Sequence, residues 1–145
     1  MLSFCYSRLP HCGGDMDINK IRKKNINRLV VYEIMQWIDE HLEEPLKVED
    51  VSAKAGYSKW HFQRMFKEVA GISLGKYIKL EKLRRACFLL ENTDIPVIEV
   101  CFMLGFTSQQ VFTRAMRNEM HHTPGAVRRN KPVLKKSSGI KRDEL

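Results

Sequence analysis

From Asn27 to Leu42, Val30, Ile34, Ile38 and Leu42 recur at every fourth position with Trp37 beside them, which predicts a helix with one apolar face. Pro45 ends it. Val48 to Ala55 reads as a short second helix and Ser58 to Ala70 as a third, with Gly56-Tyr57 as the turn between them. Ser73 is placed to cap a long helix reaching about Glu91, with Tyr77, Leu80, Leu83, Cys87 and Leu90 along one side. Pro96 fits the first turn of the next helix, which runs to Leu104, and Ser108 to about Met120 forms its partner. Thr123-Pro124 opens a last short helix. No segment alternates apolar and polar residues as a half-buried strand does, so the expected fold is all-α with about seven helices.

The pattern is stated twice. Val51, Ala55, Gly56, Tyr57, Ser58, Phe62, Arg64, Phe66, Lys67 and Gly75 are answered by Val100, Leu104, Gly105, Phe106, Ser108, Phe112, Arg114, Met116, Arg117 and Gly125. In each copy an apolar segment ends at a Gly-aromatic turn, and a second segment starts at a Ser and carries bulky residues inward and cationic ones outward. That is the sequence form of a helix-turn-helix, and two of them suit a chain that grips successive turns of a DNA major groove by itself. The expected organisation is a flexible lead over residues 1–26, a first helix-turn-helix subdomain over 27–72, a connecting helix over 73–92, a second subdomain over 93–130 and a basic flexible tail over 131–145. The lead shows no helical period before Asp15 and contains Pro10 and Gly13-Gly14; Met16 reads as the true start of translation. The connecting helix spans roughly 27 Å at about 1.5 Å per residue. With the widths of the flanking helices added, that approaches the ~34 Å repeat of a DNA turn.

Composition narrows the partner. The 145 residues carry 25 Lys plus Arg against 17 Asp plus Glu, a net charge of +8, which favours a polyanion. The 43% hydrophobic content is enough for a core. No run approaches the ~18 apolar residues of a membrane span, and Met1 to Cys5 is too short for a secretory apolar region, so the expected location is the bacterial cytoplasm, on the nucleoid. The terminal Arg142-Asp-Glu-Leu145 resembles a retrieval tag that goes unread without a signal peptide. Cys5, Cys12, Cys87 and Cys101 show no C-x-x-C spacing and read as reduced thiols; His11 and the His121-His122 pair lack a second spaced pair to make a metal site. Neither a metal nor a cofactor is expected.

The outward faces of the two second helices carry the candidate chemistry. With Phe62, Met65, Phe66 and Val69 inward, Trp60, Gln63, Arg64 and Lys67 face outward at i, i+3, i+4 and i+7. Gln matches N6 and N7 of adenine, Arg matches O6 and N7 of guanine, and Trp can lie against a thymine methyl. In the second copy Phe112, Ala115 and Met116 point inward and Gln110, Thr113, Arg114 and Arg117 outward, with Gln109 at the helix start. Here Val69 is answered by Glu119, and its apolar role passes to Met120. Ser58, Lys59, Lys67, Ser108 and Arg117 are of the right kind to hold phosphates.

The run Gly56-Tyr57-Ser58-Lys59-Trp60-His61-Phe62-Gln63-Arg64-Met65-Phe66-Lys67, followed by Gly71, Ser73-Leu74-Gly75 and Tyr77-Ile78, resembles the first helix-turn-helix of the AraC/XylS family of bacterial transcription regulators. Gly105-Phe106-Thr107-Ser108-Gln109-Gln110-Val111-Phe112-Thr113-Arg114, with Thr123-Pro124-Gly125 and Arg128, resembles the family's C-terminal signature. The likeness covers about Asn27 to Asn130 and is nearest to the small stress regulators of the MarA, SoxS and Rob type. It implies a monomer that binds an asymmetric promoter site, inserts both recognition helices on one face of bent double-stranded DNA, and activates stress or drug-resistance genes through RNA polymerase. Carried over residue by residue, it implies base contacts from Trp60, Gln63 and Arg64 in the first helix and from Gln109, Gln110, Thr113 and Arg114 in the second. Val111 departs from the pattern, standing where close relatives often have a polar residue, so a base-acceptor contact there gives way to a methyl contact. No sensor domain fits in the lead, so no small-molecule effector is expected.

Other classes predict otherwise. An enzyme needs a nucleophile–base arrangement, phosphate loop or carboxylate pair, and none is identifiable. A nonspecific nucleic-acid binder would leave the outward Trp and Gln residues idle and follow salt alone. A repressor would use the same DNA contacts as an activator.

Overall fold

The computed structural model describes residues 17–130, which form, in order, α1 (Ile18–Glu40), α2 (Val48–Ala55), α3 (Lys59–Ala70), α4 (Leu74–Asn92), α5 (Val97–Met103), α6 (Gln109–Met120) and α7 (Pro124–Arg129). No strand occurs among these residues, and the expected all-α fold is observed. Five of the helices begin at a side chain that satisfies one of the first free backbone N–H groups. Asp17, Ser58, Ser73, Ser108 and Thr123 accept from the N–H of Asn19, His61, Lys76, Val111 and Ala126 respectively. The proposed start at Met16, the expected flexibility of the lead before Asp17 and the tail beyond Asn130, and the calls on Cys5, His11 and Cys12 lie outside the described residues.

The two interhelical turns close identically. Gly56 and Gly105 take left-handed backbone at φ 83° and 78°. The N–H of Gly56 donates to Ala53 O (3.0 Å) and that of Tyr57 to Ser52 O (3.1 Å), while Gly105 donates to Phe102 O (3.0 Å) and Phe106 to Cys101 O (3.1 Å). These paired bonds close a helix C-terminus around one residue of positive φ, which glycine adopts at least cost. The aromatic that follows each glycine, Tyr57 or Phe106, then packs against the core.

The ends of α3 and α6 differ. Gly71 caps α3 at φ 82°, but the equivalent place after α6 is His121, at φ 62°. A side chain in the left-handed region costs roughly 1–2 kcal/mol, partly offset in glycine by the greater freedom of its unfolded chain. His121→Gly is therefore expected to stabilise the protein by about 0.5–1 kcal/mol. Urea unfolding checks it; an unchanged midpoint would show that the histidine side chain compensates for its backbone.

Helices α1, α2 and α3 pack on one another, and α4 lies between this group and α5, α6 and α7, touching α3 on one side and all three of the others. Between Tyr77 and Arg85 it is pinned to the segment around the end of α1. Tyr77 OH donates to Asp39 Oδ1 (3.4 Å), Arg85 Nη2 to Asp39 O (3.3 Å) and Lys82 Nζ to Glu44 O (3.5 Å). Burial, reinforced by the Asp39 charge, pushes the Tyr77 hydroxyl far above its ordinary pKa, so it stays a donor. At the other end Arg128 of α7 donates to the carbonyls of Thr93 and Ile95, tying the last helix to the loop after α4.

Four expectations are corrected. Helix α1 starts at Ile18, not near Asn27, because Asp17 caps it and Lys20, Arg22, Lys23 and Lys24 favour helix without being buried. With that stretch mostly exposed, no apolar face announces it. Val31, rather than Val30, holds the fully buried place beside Ile34, Ile38 and Leu42; Val30 is half-buried. Pro96 is the residue before α5 and keeps an extended ψ of 146°, so the helix begins at Val97. In α4 the buried residues are Leu74, Ile78, Leu83, Ala86 and Leu90. At about 100° per residue, Leu74 and Ile78 lie on one face and the other three on another. The apolar face turns along the helix because α4 serves cores on both sides.

Candidate nucleic-acid interface

Helices α3 and α6 repeat their burial residue for residue. Over 61–70 and 111–120 the order of exposed, half-buried and buried positions is the same, with Phe62, Met65 and Phe66 matched by Phe112, Ala115 and Met116 in the core. Met120 packs against the core as Val69 does, and Glu119 turns to Lys79 (3.5 Å) and Lys76 (3.9 Å) of α4. Aromatic contacts anchor each helix from beneath. Phe66 meets Phe62 and Tyr77 with ring centroids 6.0 and 5.4 Å apart, and Phe112 meets Phe106 at 5.1 Å.

Opposite that apolar face stand the residues singled out from the sequence. Trp60, Arg64, Lys67, Gln109, Gln110, Arg114 and Arg117 are exposed, and Gln63 and Thr113 are half-buried at the margins. Trp60 is 71% exposed although it is the largest side chain on the helix, and Arg64 places its guanidinium carbon 4.7 Å from the indole centroid. Val111, the departure from the family pattern, is 46% exposed beside this face. Gln109, Gln110, Thr113, Arg114 and Arg117 line one open concave surface together with Asn118. Asn118 was missed from sequence. Its place at i+4 from Arg114 was the available signal.

The proposed phosphate ligands divide by what they already do. Ser58 and Ser108 are the caps of α3 and α6; each oxygen accepts from its helix N–H at 3.3 and 3.2 Å, which leaves the hydroxyl proton free to donate. Neither helix has an acidic residue in its first turn, so the positive end of each macrodipole is uncompensated there. Lys59 is engaged: its ammonium lies 2.5 Å from Glu49 Oε1 of α2. That hydrogen bond holds the Glu49 carboxyl below its ordinary pKa. A phosphate must displace Glu49 to reach Lys59. Lys67 and Arg117 make no ion pair among the described residues and stand in the last turns of α3 and α6.

Little else in the described residues offers chemistry. Burial pushes the Cys87 and Cys101 thiols up from their ordinary pKa, which keeps them protonated and weakly nucleophilic. No helix among the described residues is long and apolar enough to cross a membrane.

A family model described as a helix-turn-helix domain matches residues 51–130, spanning both turns. The regulatory protein SoxS of Salmonella typhimurium is 40% identical over 99 residues, covering 68% of this chain and 92% of SoxS. The chain belongs to the AraC/XylS family. Another AraC-type relative is the transcriptional regulator Rob of Salmonella typhimurium, 41% identical over 101 residues; these cover 70% of this chain and 35% of Rob, so the chain spans about a third of that protein's length. Among solved structures, an AraC-type transcriptional regulator from Chromobacterium violaceum matches with a TM-score of 0.68 and 28% identity over 71% of this chain and 92% of that one. The DNA-binding domain of AdpA, solved in complex with a target DNA, matches with a TM-score of 0.64 and 31% identity over 68% of this chain and 88% of that one. The chain thus carries the helix-turn-helix DNA-binding domain of AraC-type transcriptional regulators and is related to Rob and SoxS; that family is not an enzyme class.

Proposed function

We propose that this AraC-type regulator binds an asymmetric promoter site as a monomer, laying α3 and α6 into successive major-groove segments, and activates transcription by meeting RNA polymerase. In this reading Trp60, Gln63 and Arg64 read bases in one half-site and Gln109, Gln110, Thr113 and Arg114 in the other. Ser58, Lys59, Lys67, Ser108 and Arg117 hold phosphates. The two reading units are the subdomains of residues 27–72 and 93–130, joined by the helix within 73–92, and the protein works on the bacterial nucleoid without a small-molecule effector. The genes it switches on are those of stress and drug-resistance responses, as the resemblance implies. The observation that carries the reading is the identical burial of α3 and α6, which turns two similar sets of amide and guanidinium groups out of one fold. Such sets match the donor and acceptor edges that bases present in the major groove.

Selection of binding sites from random duplex DNA near physiological salt tests it. The expected product is an asymmetric sequence with two short specified blocks about one helical turn apart. Enrichment of a single block would leave one helix as the reader and the other as scaffold. No enrichment, with affinity that follows salt alone, would make the chain a charge-driven binder.

A further inference from the structure

The two recognition helices carry an arginine at the same position, but among the described residues only Arg64 of the two rests on an aromatic ring. Arg64 lies over the Trp60 ring, one helical turn earlier, at 4.7 Å from its centroid. Arg114 has Gln110 at that place. We propose that Trp60, besides its own place in the reading set, is a positioning residue for Arg64, holding its guanidinium in the orientation in which it reads a base, so that discrimination at the arginine's base pair depends on the ring.

The physical reason lies in which surface of the guanidinium the contact uses. An ion pair with a carboxylate would fix an arginine by occupying its N–H groups, as Glu49 occupies the ammonium of Lys59. A place over an indole ring engages no hydrogen-bond acceptor, so no carboxylate has to be displaced before the donors of the fork meet a base. Among the described residues Arg64 makes no ion pair. Its fork is therefore held without being consumed. A long side chain fixed before binding loses less rotamer freedom on meeting a base, and the bidentate match to guanine tolerates little misalignment. The arrangement also explains a large apolar ring left 71% exposed on a solvent-facing helix, because an exposed indole face is the best aromatic support for a cation. Removing the ring leaves no core cavity.

The inference rests on the reading of Arg64 as a base reader, and the experiment separates the two. Affinities of the full chain are measured for the selected duplex and for its variants carrying each of the other bases at the pair whose preference Arg64→Ala flattens. The proteins are wild type, Trp60→Ala, Trp60→Phe, Arg64→Ala and the Trp60→Ala/Arg64→Ala double variant. Trp60→Ala is expected to reduce discrimination at that pair by about two- to fivefold, the fold-change equivalent of an exposed cation–π contact. Trp60→Phe, which keeps a ring face, should restore part of it. In the Arg64→Ala background the same change should leave discrimination at that pair where it was. A loss from Trp60→Ala that is equal for all four bases, or that persists in the Arg64→Ala background, would overturn the positioning role while leaving Arg64 a reader. If Arg64→Ala flattens no base pair, the reading itself falls and the inference with it.

Discussion

Phe66→Ala is expected to destabilise the protein by about 3–5 kcal/mol, with a fall in the urea midpoint at unchanged slope. Phe66 is fully buried and joins Phe62 of its own helix to Tyr77 of α4, so its ring fastens the first recognition helix to the connecting helix. Truncation loses the transfer free energy of the ring and opens a cavity that rigid neighbours on two helices cannot close. Tyr77 is itself held by Asp39, which limits its movement into the gap. Against a typical total of about 5–15 kcal/mol, the loss removes from roughly a fifth of the stability to all of it, and at the low end leaves a substantial unfolded fraction at physiological temperature. DNA binding should then fall in proportion to the folded fraction, and excess duplex should restore it. A change below about 1 kcal/mol would mean that α3 is held mainly through α1 and α2, and that the aromatic bridge to α4 is dispensable.

Arg64→Ala is the second large effect, and it acts on binding rather than on folding. The expected cost is about 1–3 kcal/mol on the selected site, with loss of preference at one base pair, whereas Lys67→Ala should weaken binding similarly on all sequences and lower the salt slope by about one unit. Both residues are exposed on α3, and neither change should move the unfolding midpoint by more than about 0.5 kcal/mol. In the proposed reading Lys67 holds a phosphate; it stands in the last turn of α3, about one turn beyond Arg64. Titration of each variant against selected and random duplex at several salt concentrations separates the roles. Parallel behaviour of the two variants on both duplexes would remove the distinction between base reading and phosphate holding.

The outward faces of α3 and α6 are legible in the sequence. A period near 3.6 divides a helix into an inner and an outer face, and α3 and α6 keep those faces because each buries a single side. The turns were legible as well, since Gly56 and Gly105 mark the backbone conformation that each turn requires. Less legible were positions that carry little signal of their own. Asn118 was overlooked because a neutral amide near a helix end carries little signal of its own. The start of α1 was misplaced because residues 18–26 are helical while leaving almost no side chain buried.

By itself, then, the order of residues determined the seven helices of the described residues, the cap at Ser73, the repeated helix-turn-helix and the sides of α3 and α6 that face outward. These are local properties, set by φ preference, capping and the spacing of apolar residues over one or two turns. Only the tertiary structure decided which charges meet. Glu49 takes Lys59, Glu119 takes Lys76 and Lys79, and Arg128 closes the loop after α4, because helices far apart in sequence dock on one another. It also decided that the buried face of α4 turns along its length. The contact of Arg64 with Trp60, by contrast, joins two exposed side chains one turn apart on a single helix and belongs with the local properties.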